Sequence, residues 1–502
     1  MSAHQHHAGR GCCPVGCRSV HSRRHFLASL GALGGSALVL QPVLFNNAVA
    51  QTVGTTAQAG SNARPRIRVA FTRQDTEQYW MGWPGAAYDI PASQARYTEV
   101  LTAAAQKFDM DIEVVDQALT DNARVDAFVE TTNAAQPDGI VLVVMGLHPD
   151  GWSQVNRVLE HRDDIPTLVF APQGTQFTPT LQRYREIPRM FVGATHDVEW
   201  LETAMRMLKV VWLMRVTRIA TIAGDTEAEQ RLEPLGTTLH HLPLERFAVE
   251  YDATEGSAEA REIAALYKDR AKGILEPSDE EILEAARTYV ANRKLMSETH
   301  CQAVTMDCLG LVANRRCPPP CMAYMQLLDE GTCGACERDV PATLSLLLSS
   351  YLLNRPAFLH NPSPNTVRNT YMGAHCTAPT KMDGFDGPDS EYILRSHHES
   401  DIGVAPQVLL REGQDVTMMK FIANNDEVMA STGTLLCNID SQPTDGVGGC
   451  RTAFEMTVDG VADSRDIRGH HNVLMYGKHM PMLKAFCQLA GLRFSHIAGE
   501  PA

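Results

Sequence analysis

Short apolar runs and stretches of helical spacing alternate from residue 66 to about residue 214. "RIRVAF" and "DIEVVD" read as strands, and "ARYTEVLTAAAQKF" repeats its apolar residues with helical period. "GIVLVVM" is apolar without a break, as a strand buried on both faces must be. "TLVFAP" and "RMFVGA" follow, then the long helix "VEWLETAMRMLKVVWLM". This is the strand–helix rhythm of a parallel sheet covered by helices. A second unit opens at "RIATIAG" (218–224) and continues through "SAEAREIAALYKDRAKG" and "SDEEILEAARTYVANRKLM", each with Ser at its N-cap and acids in its first turn. After about residue 355 the pattern becomes short strands joined by Gly, Asn and Asp, with "NND" as a hairpin turn. The chain then closes with an amphipathic helix, "MPMLKAFCQLAGL", ended by Gly491. The predicted fold is α/β: two doubly wound, Rossmann-like parallel-sheet domains (66–214 and 215–355), followed by a mostly antiparallel β domain with a terminal helix (356–502).

The first 65 residues do not fit this pattern. "HSRRHFLASLGALGGSALVL" carries Arg23 and Arg24 ahead of a Gly- and Ala-rich apolar run, and Ala48-Val49-Ala50 supplies a small-x-small cleavage site. The expectation is a twin-arginine export signal over 1–50, recognised by the twin-arginine translocase, with a polar linker over 51–65. Glycines and Pro42 interrupt the apolar run, so a stable membrane anchor is not expected. The expected location is periplasmic or secreted. Removing the leader leaves 452 residues (502 − 50), enough for two or three domains. The leader holds four Arg and no acid, so the remainder carries about −19 (−15 − 4), a surface that disfavours nucleic acid and anionic membrane.

Residues 51–300 contain no cysteine, and ten follow, among them "CPPPC" (Cys317, Cys321) and "CGACERD" (Cys333, Cys336). In an exported chain this even count points first to disulfides; buried thiols and a structural zinc held by the two pairs are the alternatives. Asp339, followed by Pro341 and a Leu-rich run, marks a helix start, which places Glu337 beside a positive helix end that favours an ionised carboxylate. The plain alternative for this acid is capping. His375 in "MGAHCTAP", His397, His398 and Glu399 in "RSHHES", and His470 and His471 in "RGHHNVLMYG" collect imidazoles within about a hundred residues, a density that points to a metal site. Imidazole mixed with carboxylate suits Mn²⁺ or another oxygen-preferring divalent ion. Trp80 and Trp83, in "YWMGWPG" after the first strand, are placed to stack on a sugar ring or to pack against a subunit.

"ACERDVPATLSLLLSSYLLNRPAF", "GAHCTAP" and "GHHNVLMYGKHMPMLKAFCQLAGL" resemble, in order, three segments of the L-fucose/L-arabinose isomerase superfamily over residues 300–490. The resemblance implies metal-dependent aldose–ketose isomerisation of a small-molecule sugar through an ene-diol, in a homo-oligomer, a trimer or hexamer. It further implies that Glu337 is the first acid, His375 the central His, and His471 the terminal metal ligand. His471 is preferred over His470 because the family's single His aligns with the second of the pair, and two successive strand residues face opposite ways, so only one is expected to face the site. The family's second acid falls at Asn361, where an amide can ligate a metal but cannot carry a proton; either Asp339, Asp383 or Glu399 replaces it, or the chemistry is not simple isomerisation. The competing readings are a sugar-binding or sensing protein on the same scaffold and a related carbohydrate epimerase or lyase.

Overall fold

A computed structural model describes residues 63–80, 87–147, 149, 151–397, 399–400, 402–422, 424–439 and 450–499. All the described elements belong to one compact unit, residues 46–502. The expected export signal and linker, to residue 62, lie outside the described residues.

Five strands, β1 (Arg66–Thr72), β2 (Asp111–Val114), β3 (Gly139–Val144), β4 (Thr167–Pro172) and β5 (Met190–Thr195), form a wholly parallel sheet in the order β2-β1-β3-β4-β5. Alternate residues enter different cores. Val141 and Val143 pack into one cluster, Ile140, Leu142 and Val144 into another. Both faces are therefore dry, which is why "GIVLVV" needs no polar alternation. Helix α1 (Trp200–Val216) follows this sheet.

The second sheet contains β6 (Arg218–Ile222), β7 (Ala228–Leu232), β8 (Thr237–Leu242), β9 (Ala303–Met306) and β10 (Cys333–Ala335), in the order β10-β9-β6-β8-β7. It is parallel except for β7, which runs antiparallel at the edge. Helix α2 (Cys321–Asp329) precedes β10, and α3 (Val340–Leu353) follows it.

Beyond residue 355 the expected antiparallel strands close into a barrel. Its strands are β11 (Phe358–Asn365), β12 (Thr370–His375), β15 (Asp415–Phe421), β16 (Glu427–Asn438), β17 (Thr452–Val458) and β18 (Asn472–Tyr476). The ring runs β15-β18-β11-β12-β17-β16 and returns to β15. Closure leaves these strands no free edge. Two further strands, β13 (Tyr392–Ser396) and β14 (Val404–Val408), pair antiparallel in a separate three-stranded sheet, whose third strand, Gly273–Ile274, runs parallel to β13. Helix α4 (Met480–Ala490) ends at Gly491, whose φ of 73° supplies the left-handed cap, and β19 (Arg493–His496) joins β16 in parallel. Phe358, Tyr371, Met418, Phe454 and Leu474 share the barrel's inner core. The alternating residues Leu359, Met419, Phe421 and Val473 instead join the core that includes α3, α4 and the first sheet. No helix among the described residues is long and apolar enough to cross a membrane.

The cysteine expectation needs correcting. Nine of the ten described cysteines, all but Cys437, are free thiols, eight of them buried and Cys450 half-buried. Nor do the pairs Cys317/Cys321 and Cys333/Cys336 gather into a zinc site among the described residues. Burial, not cross-linking, accounts for most of them: Cys333 and Cys487 sit in the largest apolar core.

Asp329, at the end of α2, accepts from the Thr380 amide (2.7 Å), the Lys381 amide (2.9 Å) and the Thr380 hydroxyl (2.6 Å). Burial nonetheless outweighs these bonds and raises its carboxyl from the ordinary 3.8 to about 7. The protonated form therefore favours the fold. That contribution is complete below pH ~4 and is lost as pH rises through about 7, falling by ~1.4 kcal/mol for each pH unit between the two values. Asp329→Asn keeps an acceptor and removes the charge. Thermal melts should show the fall in stability between pH 5 and 8 clearly flattened in this variant; an unchanged slope contradicts the assignment.

Candidate metal centre

Glu337 follows β10 at the carboxyl edge of the second sheet, where open parallel sheets present their ligands. The chain there is tightly wound. Glu337 and Arg338 have φ of 59° and 58°, a left-handed conformation that costs non-glycine residues ~1–3 kcal/mol each. The Arg338 amide donates to Met306 O at 3.0 Å, tying the turn to β9. Burial pushes the Cys308 thiol up to about 12. Asp339 then caps α3, its Oδ1 accepting from the Ala342 amide at 2.8 Å. Capping thus falls to Asp339 and leaves Glu337 free for other work.

Two histidines meet Glu337 from the barrel. His375 ends β12, and its Nε2 lies 3.4 Å from Glu337 Oε1. His471 immediately precedes β18, and its Nε2 lies 3.4 Å from Glu337 Oε2. Both rings are buried, and at that separation neither contact is a hydrogen bond; His375 Nδ1 and Nε2 and His471 Nε2 have no hydrogen-bond partner. The other side of His471 is anchored: Nδ1 lies 3.0 Å from Asp339 Oδ2. Lys420, 7 % exposed in β15, donates to Asp339 Oδ2 at 2.8 Å and to the His470 carbonyl. Lys420, Asp339 and His471 therefore form a chain that aims Nε2 at Glu337, as partners behind a metal-binding His do.

The charges follow from these contacts. His375 first, then His471, hold Glu337 well below the usual carboxylate range against the opposing effect of burial. Asp339 also sits below its ordinary value, because His471 and Lys420 override burial. Burial alone would lower His471, but the hydrogen bond to Asp339 and the facing Glu337 carboxylate push it up to about 9. The site thus presents two carboxylates that stay ionised at neutral pH.

Around this centre the barrel's inner face turns polar. His360 pairs in register with Asn472, and His375 with Thr452; Lys420 stands one residue beyond the Met419–Val473 pair. His360 is fully buried, and its Nδ1 bonds to Phe358 O at 3.0 Å. A Cβ on Gly373 would come within 2.6 Å of the His360 ring, so a side chain at 373 would displace it.

Glu337, His470 and His471 each offer an atom within 4.8 Å of the others, a cluster that could hold a metal ion. This corrects the expectation that only one of the paired histidines faces the site. Strand alternation does not apply there, because β18 begins at Asn472 and His471 has a φ of 57°. Alternation turns Asn361 to the opposite face of β11 from His360, and its buried Oδ1 has no partner. Of the acids considered as replacements, Asp339 is at the site, Asp383 is paired with Arg411, and Glu399 is exposed.

His397 is buried in the turn after β13, its Nδ1 2.7 Å from the Ser400 hydroxyl. That turn is held near the site by Arg451, which donates to Ser396 O and Oγ, both at 2.8 Å. His398 lies outside the described residues. So does Trp83. Trp80 ends a short strand, Gln78–Trp80, paired with Ala87–Asp89, and its side chain is likewise outside what is described.

Lys420 and His360 were missed by the sequence reading, although both carried a signal. Lys420 shares the strand phase of Val416 and Met418, and His360 that of Phe358, so each is a polar residue on an apolar face. Comparison with protein-family models and with curated proteins returns no match to this chain.

Proposed function

We propose that this protein is a divalent-metal-dependent enzyme that moves a proton between adjacent carbons of a sugar, converting aldose to ketose through an ene-diol. The observation that carries the reading is Glu337, ionised and set between two buried imidazoles whose facing nitrogens have no hydrogen-bond partner. These residues fit a metal: the bare Nε2 of His471, a carboxylate and the adjacent His470 make a donor set suited to Mn²⁺. Such a cation, held by Glu337, His470 and His471, would polarise the sugar carbonyl.

The remaining work falls to the chain. An ionised carboxylate removes the C2 proton as the C1–C2 double bond forms, exchanges it with solvent, and delivers a proton to C1 while a proton passes from O2 to O1. Glu337 stays deprotonated in this setting and is the base assigned. Asp339 and Lys420 fix the ring orientation of His471, and the buried faces of His375 and His471 limit water at the carboxylate. The twin-arginine pattern supports export of the folded, metal-loaded protein to the periplasm or beyond, and the family resemblance supports a trimer or hexamer. An epimerase or lyase would begin with the same proton abstraction and differ in product. A second reading is a sugar-binding protein, which would hold metal and sugar without exchange.

The deciding experiment incubates Mn²⁺-loaded protein with a panel of aldoses in D₂O. The proposal expects ketose carrying solvent deuterium at C1. Bound metal and bound sugar without deuterium in either sugar would favour the binding protein; no metal uptake would remove both readings.

A further inference from the structure

Three thiols lie beside the metal centre without belonging to it. Cys321 begins α2, Cys376 follows His375 at the end of β12, and Cys450 stands two residues before β17. They pack together with Ala405 as an isolated apolar cluster. Cys376 shares that cluster with both Cys321 and Cys450. The backbone brings this about: His375 and Thr452 are register partners, so the residues just past them, 376 and 450–451, emerge side by side. The three differ in access. Cys321 and Cys376 are buried, whereas Cys450 is half-buried. Cys336 is otherwise engaged, bonded to the Thr377 hydroxyl at 2.9 Å.

We propose that Cys450, Cys376 and Cys321 form a thiol–disulfide relay, with Cys450 as the entry point and Cys376 as the shared partner. The oxidant is a small-molecule disulfide, glutathione disulfide in the test. The Cys450 thiolate attacks one of its sulfurs, the oxidant's S–S bond breaks, and one glutathione leaves as thiolate and is protonated. Cys376 attacks the resulting mixed disulfide at the Cys450 sulfur, releasing the second glutathione and closing the Cys376–Cys450 bridge. Cys321 then attacks Cys376, forming Cys321–Cys376 and returning Cys450 to a thiol. Two protein thiols are oxidised, one glutathione disulfide is reduced to two thiols, and the protons lost from the protein go to them. Either bridge contains Cys376, so oxidation fixes the backbone next to His375.

The test treats reduced, native, full-length protein with glutathione disulfide for minutes to hours, the range of uncatalysed exchange, then blocks free thiols and maps the peptides. The expected product has a single bridge containing Cys376, appearing first as Cys376–Cys450 and later shared with Cys321–Cys376. Cys376→Ser should stall with glutathione attached to Cys450 and no bridge. If that variant fails to fold, Cys450→Ser, at the less buried position, should lose both the early bridge and the glutathione adduct. Thiols that all stay free in the wild type, or a first bridge between other cysteines, would overturn the proposal.

Discussion

Glu337→Gln should lower solvent-proton exchange into a sugar by about 10²–10⁴-fold, the usual contribution of a positioned general base. Gln has nearly the same shape, so the left-handed turn at 337–338 and its tie to Met306 O should persist. What changes is charge. The wild-type carboxylate is held deprotonated by His375 and His471; the amide cannot accept a proton and binds a divalent cation less strongly. Exchange is therefore lost twice over, through the base and through the ion. The measurement is deuterium incorporation at saturating Mn²⁺, with circular dichroism to show the fold retained. Exchange at the wild-type rate would exclude Glu337 as the base.

The second large effect is on metal affinity. His471→Ala removes the ligand that Asp339 and Lys420 orient, and should weaken Mn²⁺ binding by more than about 100-fold, the upper end of what losing a mere outer partner costs. His470→Ala should weaken binding measurably but less, because that ring is exposed and no comparable chain of partners holds it. Equilibrium dialysis of the two variants decides this. Equal losses would give the two rings equal roles, and no loss from His471→Ala would place the ion elsewhere.

Parallel strands were legible wherever both faces are covered, because Gly139–Val144 and Thr167–Pro172 then read as unbroken apolar runs. Helix starts at Ser257, Ser278 and Asp339 were legible because capping is local chemistry. Barrel closure was not. It depends on Asp415–Phe421 pairing with Glu427–Asn438 on one side and Asn472–Tyr476 on the other, and no local pattern encodes the second pairing.

The site divides in the same way. Glu337, His375 and His471 are distant in sequence, yet the structure brings them together. The role of His470 was misjudged because strand alternation was assumed one residue too early, across a left-handed His471. At Asn361 alternation does hold, and it turns the amide to the face of β11 opposite His360. Lys420 was invisible as a partner of Asp339 because the two are 81 residues apart.

The central claim is that Glu337 and His471 share one divalent cation. The most direct measurement is an anomalous difference map from crystals of the protein grown with Mn²⁺. The account predicts a single strong peak within about 2.0–2.6 Å of a Glu337 carboxylate oxygen and of His471 Nε2, with His470 adjacent. A peak bound by other residues, or none at this centre when Mn²⁺ is saturating, would contradict it.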